Sequence, residues 1–240
     1  VEEDLHINRH ISRKYNQELE GVRGKLLAMG GRVEAQCQKA LEALLRGDGA
    51  LAGEVARSDH EINQMEVEIT AECTGILARR QPAASDLRLL LSVIRIASDL
   101  ERIGDEAEQI GRLAQRFAEQ RERHAWVSEP RHLGASAVSM LHDALNAFAR
   151  LDVADALKVA ERDPEVDREF EALTRQLLTH VMEEPQRVGG MLQVNWCARA
   201  FERIGDHAVN LCEEVIYLVK GSDVRHLSPD EIRELLHRTE

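Results

Sequence analysis

The pentapeptide Glu-Arg-Ile-Gly-Asp occurs twice in this chain, at Glu101–Asp105 and at Glu202–Asp206. Each copy sets two carboxylates four residues apart, which on a helix stacks one above the other on the same face. Like charges at that spacing repel by roughly 0.2–0.5 kcal/mol in an isolated helix. The glycine between them costs about 1 kcal/mol against alanine in a helix interior. A local penalty taken twice in the same form suggests a use. Hard cations are the natural one, because oxygen ligands suit Mg²⁺, Ca²⁺, Mn²⁺ and iron.

A second acidic pair precedes each copy. Asp59-His60-Glu61-Ile62-Asn63 lies before the first and Asp163-Pro164-Glu165-Val166-Asp167 before the second. In an antiparallel helical hairpin, residues equally distant from the turn lie at equal height. Asp59 and Asp105 are equidistant from Pro82, and so are Asn63 and Glu101. Asp163 and Asp206, like Asp167 and Glu202, are equidistant from the Glu184-Pro185 junction. Four oxygen-bearing side chains then sit level across each hairpin, roughly 32–35 Å from its turn at 1.5 Å per residue. The candidate metal ligands are therefore Asp59, Asn63, Glu101 and Asp105 in one half, and Asp163, Asp167, Glu202 and Asp206 in the other. Asn63 takes one negative charge from the first set, and a carboxamide oxygen ligates more weakly than a carboxylate.

The competing reading is a solvated acidic face, with Arg102 pairing to Glu106 and Arg203 to Asp206 at helical spacing. Agreement of motif and turn in both halves favours the metal. His207 is read as a partly exposed surface histidine rather than a ligand. The Glu-x-x-His spacing of di-iron bundles occurs only at Glu3/His6, Glu129/His132 and Glu234/His237, outside the paired helices. No H-E-x-x-H, P-loop, G-x-G-x-x-G or nucleophile elbow is present, and no catalytic residue is assigned.

The elements that carry these motifs follow from apolar spacing. Leu19, Val22, Leu26, Met29, Val33, Cys37, Leu41 and Leu44 mark a first helix over about 19–45, closed by Gly47-Asp48-Gly49. Leu51, Val55, Ile62, Met65, Ile69, Cys73 and Ile76 mark a second, stopped by Pro82. A third runs from about 86 to 120, with N-cap chemistry at Ser85-Asp86. The polar stretch 121–130 divides the chain into two domains, 1–125 and 126–240. The second half repeats the plan: Asp48, Val55, Asp59 and Ile62 match Asp152, Val159, Asp163 and Val166 at an offset of 104. The expected architecture is all-α, two antiparallel three-helix bundles related by a pseudo-twofold. Pro164 is the misfit: it either kinks the fifth helix, or Asp163 caps a new helix there and the fifth element is two pieces. A short final helix is capped by Ser228, with Pro229 at its first position.

Composition sets the class. The chain has 240 residues, 31 basic against 43 acidic, for a net charge of −12. That balance is soluble and argues against nucleic acid, which needs a basic footprint. No run of 18 apolar residues occurs, so no membrane insertion is expected. The acidic start Val1-Glu2-Glu3-Asp4 has no h-region behind it, which points to the cytoplasm. Cys37, Cys73, Cys197 and Cys212 lie in helix-periodic stretches without C-x-x-C spacing, and read as reduced, mostly buried thiols.

The whole chain resembles the PhoU family of phosphate-signalling regulators. The segments that carry the likeness are Asn8-x-His10-Ile11-Ser12, Ala28-Met29-Gly30-Gly31 and Arg80-Gln81-Pro82-x-Ala84-Ser85-Asp86-Leu87-Arg88. Further along are Leu100–Asp105, Met140-Leu141-His142-Asp143, Phe201–Asp206 and Tyr217-x-Val219-Lys220-Gly221. The resemblance implies paired three-helix bundles, usually a homodimer, without enzymatic activity. It implies a negative regulator of phosphate uptake and of the phosphate-starvation response, bridging the ATPase subunit of the phosphate ABC transporter and the phosphate sensor histidine kinase. It also implies multinuclear metal clusters on the acidic motifs, with Mg, Mn, Fe or Zn as the candidate ions. Asn63 stands where the family pattern has an acid. The rival expectation is a carboxylate-bridged multinuclear metalloenzyme of oxidase or phosphatase type.

Overall fold

The computed structural model describes residues 13–119, 125–225 and 227–238, and the side chain of Asp59 falls outside that description. So does the Asn8–Ser12 segment, and residues 120–124 of the expected linker. The described residues form helices α1 (Arg13–Arg46), α2 (Gly49–Arg80), α3 (Ala84–Glu119), α4 (Arg131–Arg150), α5 (Val153–Ala160), α6 (Asp163–Glu183), α7 (Val188–Lys220) and α8 (Pro229–Arg238). Short 3-10 turns at Ala125–Ser128 and Pro185–Arg187 link them, and no strand occurs among the described residues. The architecture is the all-α pair of antiparallel bundles, α1–α3 and α4–α7, joined face to face through α3 and α7.

Local chemistry sets the boundaries. Asp48 accepts from the backbone N–H groups of Ala50 and Leu51, each at 3.0 Å, and so opens α2. Gln81 takes a left-handed conformation and bonds back to Leu77, closing α2 ahead of Pro82. Ser228 and Glu231 form a reciprocal capping box at the start of α8. The expected cap at Ser85-Asp86 is not what the chain uses. Helix α3 already begins at Ala84, so Asp86 lies inside the first turn, buried, and accepts the Tyr15 hydroxyl at 3.2 Å. Burial, and then the Asp86 charge, push that phenol up to about 12.

Pro164 divides the fifth element, which is α5 followed by α6. Asp163 does not cap the second piece: it is the first residue of α6, and Arg162 precedes it without a side-chain cap bond. Proline is tolerated in the first turn because its missing N–H would have no helical partner there. The division places the Asp163 carboxylate at the head of α6.

Helices α3 and α7 are the inner pair. Leu100, Ile103, Ala107 and Ile110 on α3, and Phe201, Ile204, Ala208 and Leu211 on α7, are fully buried and belong to one apolar core that runs through both halves. Burying that surface at roughly 25 cal/mol per Å² is the main stabilising term. Helix α2 meets α3 so closely that a Cβ on Gly111 would lie 2.9 Å from Val55 Cγ1 and 3.1 Å from the Ala52 carbonyl oxygen. The four cysteines are free and buried, and burial pushes the Cys37 and Cys73 thiols up to about 12.

Candidate metal centre

The second hairpin has the register that its turn and motif call for. Thr174 Oγ1 donates to Asn195 Oδ1 at 2.9 Å, and the Arg199 guanidinium lies 5.4 Å from the centre of the Phe170 ring. Both pairs are equidistant from the Glu184-Pro185 junction, as are Asp167 with Glu202 and Asp163 with Asp206. Towards α5, the same face brings one carboxylate oxygen each from Asp167, Glu202 and Asp206 within 4.8 Å of one another. Asp163 lies alongside, its Oδ1 3.9 Å from where a Cβ on Gly205 would stand.

The electrostatics of this cluster are unfavourable as they stand. Glu202 is 6% exposed. Its Oε1 accepts from Arg199 Nη1 at 2.8 Å, while its Oε2 is buried without a hydrogen-bond partner, as is Asp163 Oδ1. Burial, and then the Asp206 charge, push Glu202 up to about 7. Burial followed by Asp206 and Asp167 push Asp163 up to about 6. Burial and Asp167 likewise raise Asp206. Two buried oxygens without donors, and four acids that outnumber the nearby guanidinium groups of Arg199 and Arg203, are what a divalent cation with oxygen preference fits. Asp163, Asp167, Glu202 and Asp206 are the residues that would hold it.

The first hairpin carries its expected residues on facing helices, with Asp59 and Asn63 on α2 and Glu101 and Asp105 on α3. Asn63 and Glu101 are half-buried and Asp105 is exposed. Partial burial and Glu108 raise the Asp105 carboxyl. The Asp59 carboxylate, needed to complete that set, lies outside the described residues.

Two readings of the motif's neighbours are corrected. His207 is not a surface residue: it is 8% exposed, and its Nδ1 is 2.9 Å from Asp99 Oδ1 across the α3–α7 seam. Its place one residue after Asp206 turns it from the α6 side towards α3. Arg203 does not pair with Asp206, nor Arg102 with Glu106; instead Arg203 Nη1 reaches Glu106 Oε1 on α3 at 2.7 Å. Packing of α3 on α7 offers these groups partners across the seam, where helical spacing suggests partners along it.

The seam also holds acids that the motif search passed over. Asn210 donates to Asp99 at 3.1 Å. Glu214 accepts from Ser92 at 2.9 Å and from Arg95 at 3.0 Å. Glu106 and Glu214 fall among apolar positions of their helices, beside Ala107 and Val215. An acid on the core-facing stripe was the available signal.

The sequence pattern of the PhoU domain family matches residues 26–114 and again 131–215. A phosphate-specific transport system accessory protein PhoU homolog from Pseudomonas aeruginosa is 49% identical over 228 residues, covering 95% of this chain and 94% of its own. The phosphate-specific transport system accessory protein PhoU of Escherichia coli is 43% identical over 234 residues, 98% of this chain and 97% of its own. The crystal structure of PhoU from Pseudomonas aeruginosa superposes with a TM-score of 0.84 at 50% identity, covering 87% of this chain and all of that one. The crystal structure of the phosphate transport system regulatory protein PhoU from Streptococcus pneumoniae gives 0.80 at 30% identity, covering 88% and 99%.

Proposed function

The chain belongs to the PhoU family, and on that footing we propose that it is a metal-binding regulatory scaffold of phosphate transport. It represses phosphate uptake and the phosphate-starvation response by bridging the ATPase subunit of the phosphate ABC transporter and the phosphate sensor histidine kinase. Relatives named as accessory proteins of the phosphate-specific transport system support a role beside the transporter rather than in catalysis. The reading places a homodimer in the cytoplasm. No helix among the described residues is long and apolar enough to cross a membrane, which suits docking on cytoplasmic parts of both partners.

The observation that carries the metal is the convergence of Asp167, Glu202 and Asp206. A divalent ion there would neutralise carboxylates that otherwise repel, clamp α6 to α7, and stabilise the bundle through binding to the folded state alone. Mg²⁺, Mn²⁺, iron and Zn²⁺ are the candidate ions. A partner has a surface to meet on the same hairpin, where Leu178, Met182, Leu192 and Trp196 are exposed.

Deleting the gene tests the regulatory reading: expression of the phosphate regulon becomes constitutive, and affinity-tagged protein recovers the kinase or the ATPase. Normal repression at high phosphate in the deletion strain contradicts it.

A further inference from the structure

The arginines of the two pentapeptides end differently. On α7, Arg203 meets Glu106 of α3 at 2.7 Å. The repeat sets Arg102 in the place of Arg203, and His207 in the place of Glu106. The second arginine finds an acid across the seam, whereas the position matching that acid in the repeat holds a histidine, itself committed to Asp99. Arg102 makes no ion pair among the described residues.

It lines a cleft of about 420 Å³ between α3, α7 and the segment after Gly221, together with Arg95, Asp99, Asn210, Glu213 and Arg225. Most of these groups are engaged. Arg95 is held by Glu214 at 3.0 Å, and Arg225 Nε donates to both oxygens of Asp223, at 2.9 and 3.1 Å. Asp99 accepts from Asn210 and pairs with His207. That leaves Arg102, with no carboxylate paired to it among the described residues, and Glu213, a half-buried acid. Burial, then Glu214 and Asp223, push Glu213 up to about 7, with Asp99 adding and Arg225 opposing.

We propose that this cleft binds a protonated phosphate group, which takes the place of the carboxylate that Arg102 lacks and hydrogen-bonds to Glu213 through its own proton. A guanidinium presents a donor fork that suits tetrahedral oxyanions. In its charged form, which prevails above about pH 7, the Glu213 carboxylate repels an anion without a proton, such as sulfate, and accepts a hydrogen bond from one that can donate, as hydrogen phosphate does. The cleft has the size of an ordinary small-ligand site. It shares no carboxylate with the cluster of Asp167, Glu202 and Asp206, so it stands or falls apart from the metal reading.

Calorimetric titration of the purified full chain with inorganic phosphate, phosphoserine and sulfate, at a pH above the Glu213 value of about 7, tests this. Inorganic phosphate keeps a proton at neutral pH, whereas phosphoserine has mostly lost its second one and stands with sulfate as a control; saturable binding of inorganic phosphate, tighter than either control, supports the site. Arg102→Ala, at an exposed position, should weaken that binding about tenfold or more with an unchanged thermal melt. Glu213→Gln should narrow the preference for phosphate over sulfate. Absence of saturation by inorganic phosphate overturns the proposal. So does sulfate binding equal to phosphate in the wild type, or undiminished binding in Arg102→Ala.

Discussion

The hydroxyl of Thr174 donates to Oδ1 of Asn195 at 2.9 Å, a bond made in the same register that sets Asp167 level with Glu202. A shift of one residue along either helix would turn the carboxylates by about 100° away from one another. The arrangement of acids therefore follows from the turn at Pro185 and from packing contacts two or more helical turns away, with no bond between the acids themselves.

Thr174→Val keeps the shape of the side chain and removes the donor, leaving a half-buried amide oxygen of Asn195 without it. The expected loss is about 1–2 kcal/mol of stability, read by urea denaturation. Unchanged stability would show that apolar packing alone holds the hairpin in register.

Gly205 sits inside the motif, yet a Cβ there would meet Val166 Cγ1 at 3.5 Å and Asp163 Oδ1 at 3.9 Å, which is ordinary contact. Gly205→Ala in metal-free protein should therefore raise stability by about 0.5–1 kcal/mol, seen as a melting temperature about 1–4 °C higher. A fall in melting temperature would mean that the glycine keeps space that the cluster needs.

Arg203→Ala leaves Glu106, 6% exposed, without its ion-pair partner across the seam. Because the arginine is about half exposed, the expected cost is modest, about 1–2 kcal/mol. Glu106→Gln on the same background should recover part of it. Failure of that second change to recover any stability would locate the cost in lost packing of the arginine stem.

The pH dependence of the metal-free protein follows from the raised carboxyls. Asp163 and Glu202 ordinarily titrate at 3.8 and 4.5, and stand at about 6 and about 7 in the fold. Groups raised on folding bind protons more tightly in the native state. They contribute stability that is full below their unfolded values and is lost as pH rises through the folded ones. Thermal melts in chelator should therefore fall between about pH 4 and pH 7, and a bound divalent ion should reverse that fall. A melt that rises steadily across this window contradicts the burial of these acids.

Much of this was legible in the chain. Apolar spacing marks the long helices, and equal distances from the Glu184-Pro185 junction put Asp167 level with Glu202, and the two converge with Asp206 in the fold. What escaped was decided between helices. His207 reads from the sequence as a partly exposed surface histidine and Glu106 as a neighbour of Arg102 along α3, but their partners Asp99 and Arg203 come from across the seam. Asp86 was read as a cap because its type suits one, and tertiary contact with Tyr15 claimed it instead. Pro164 left two outcomes open, and the structure takes the divided one.

The most direct test of the metal centre is elemental analysis of protein purified without chelator, with melts before and after EDTA, for the wild type and for Glu202→Ala with Asp206→Ala. The account predicts about one or more equivalents of divalent or transition metal, a melting temperature that EDTA lowers by several degrees, and loss of both in the double variant. Metal-free protein whose melt ignores Mn²⁺, Mg²⁺ and iron would contradict it.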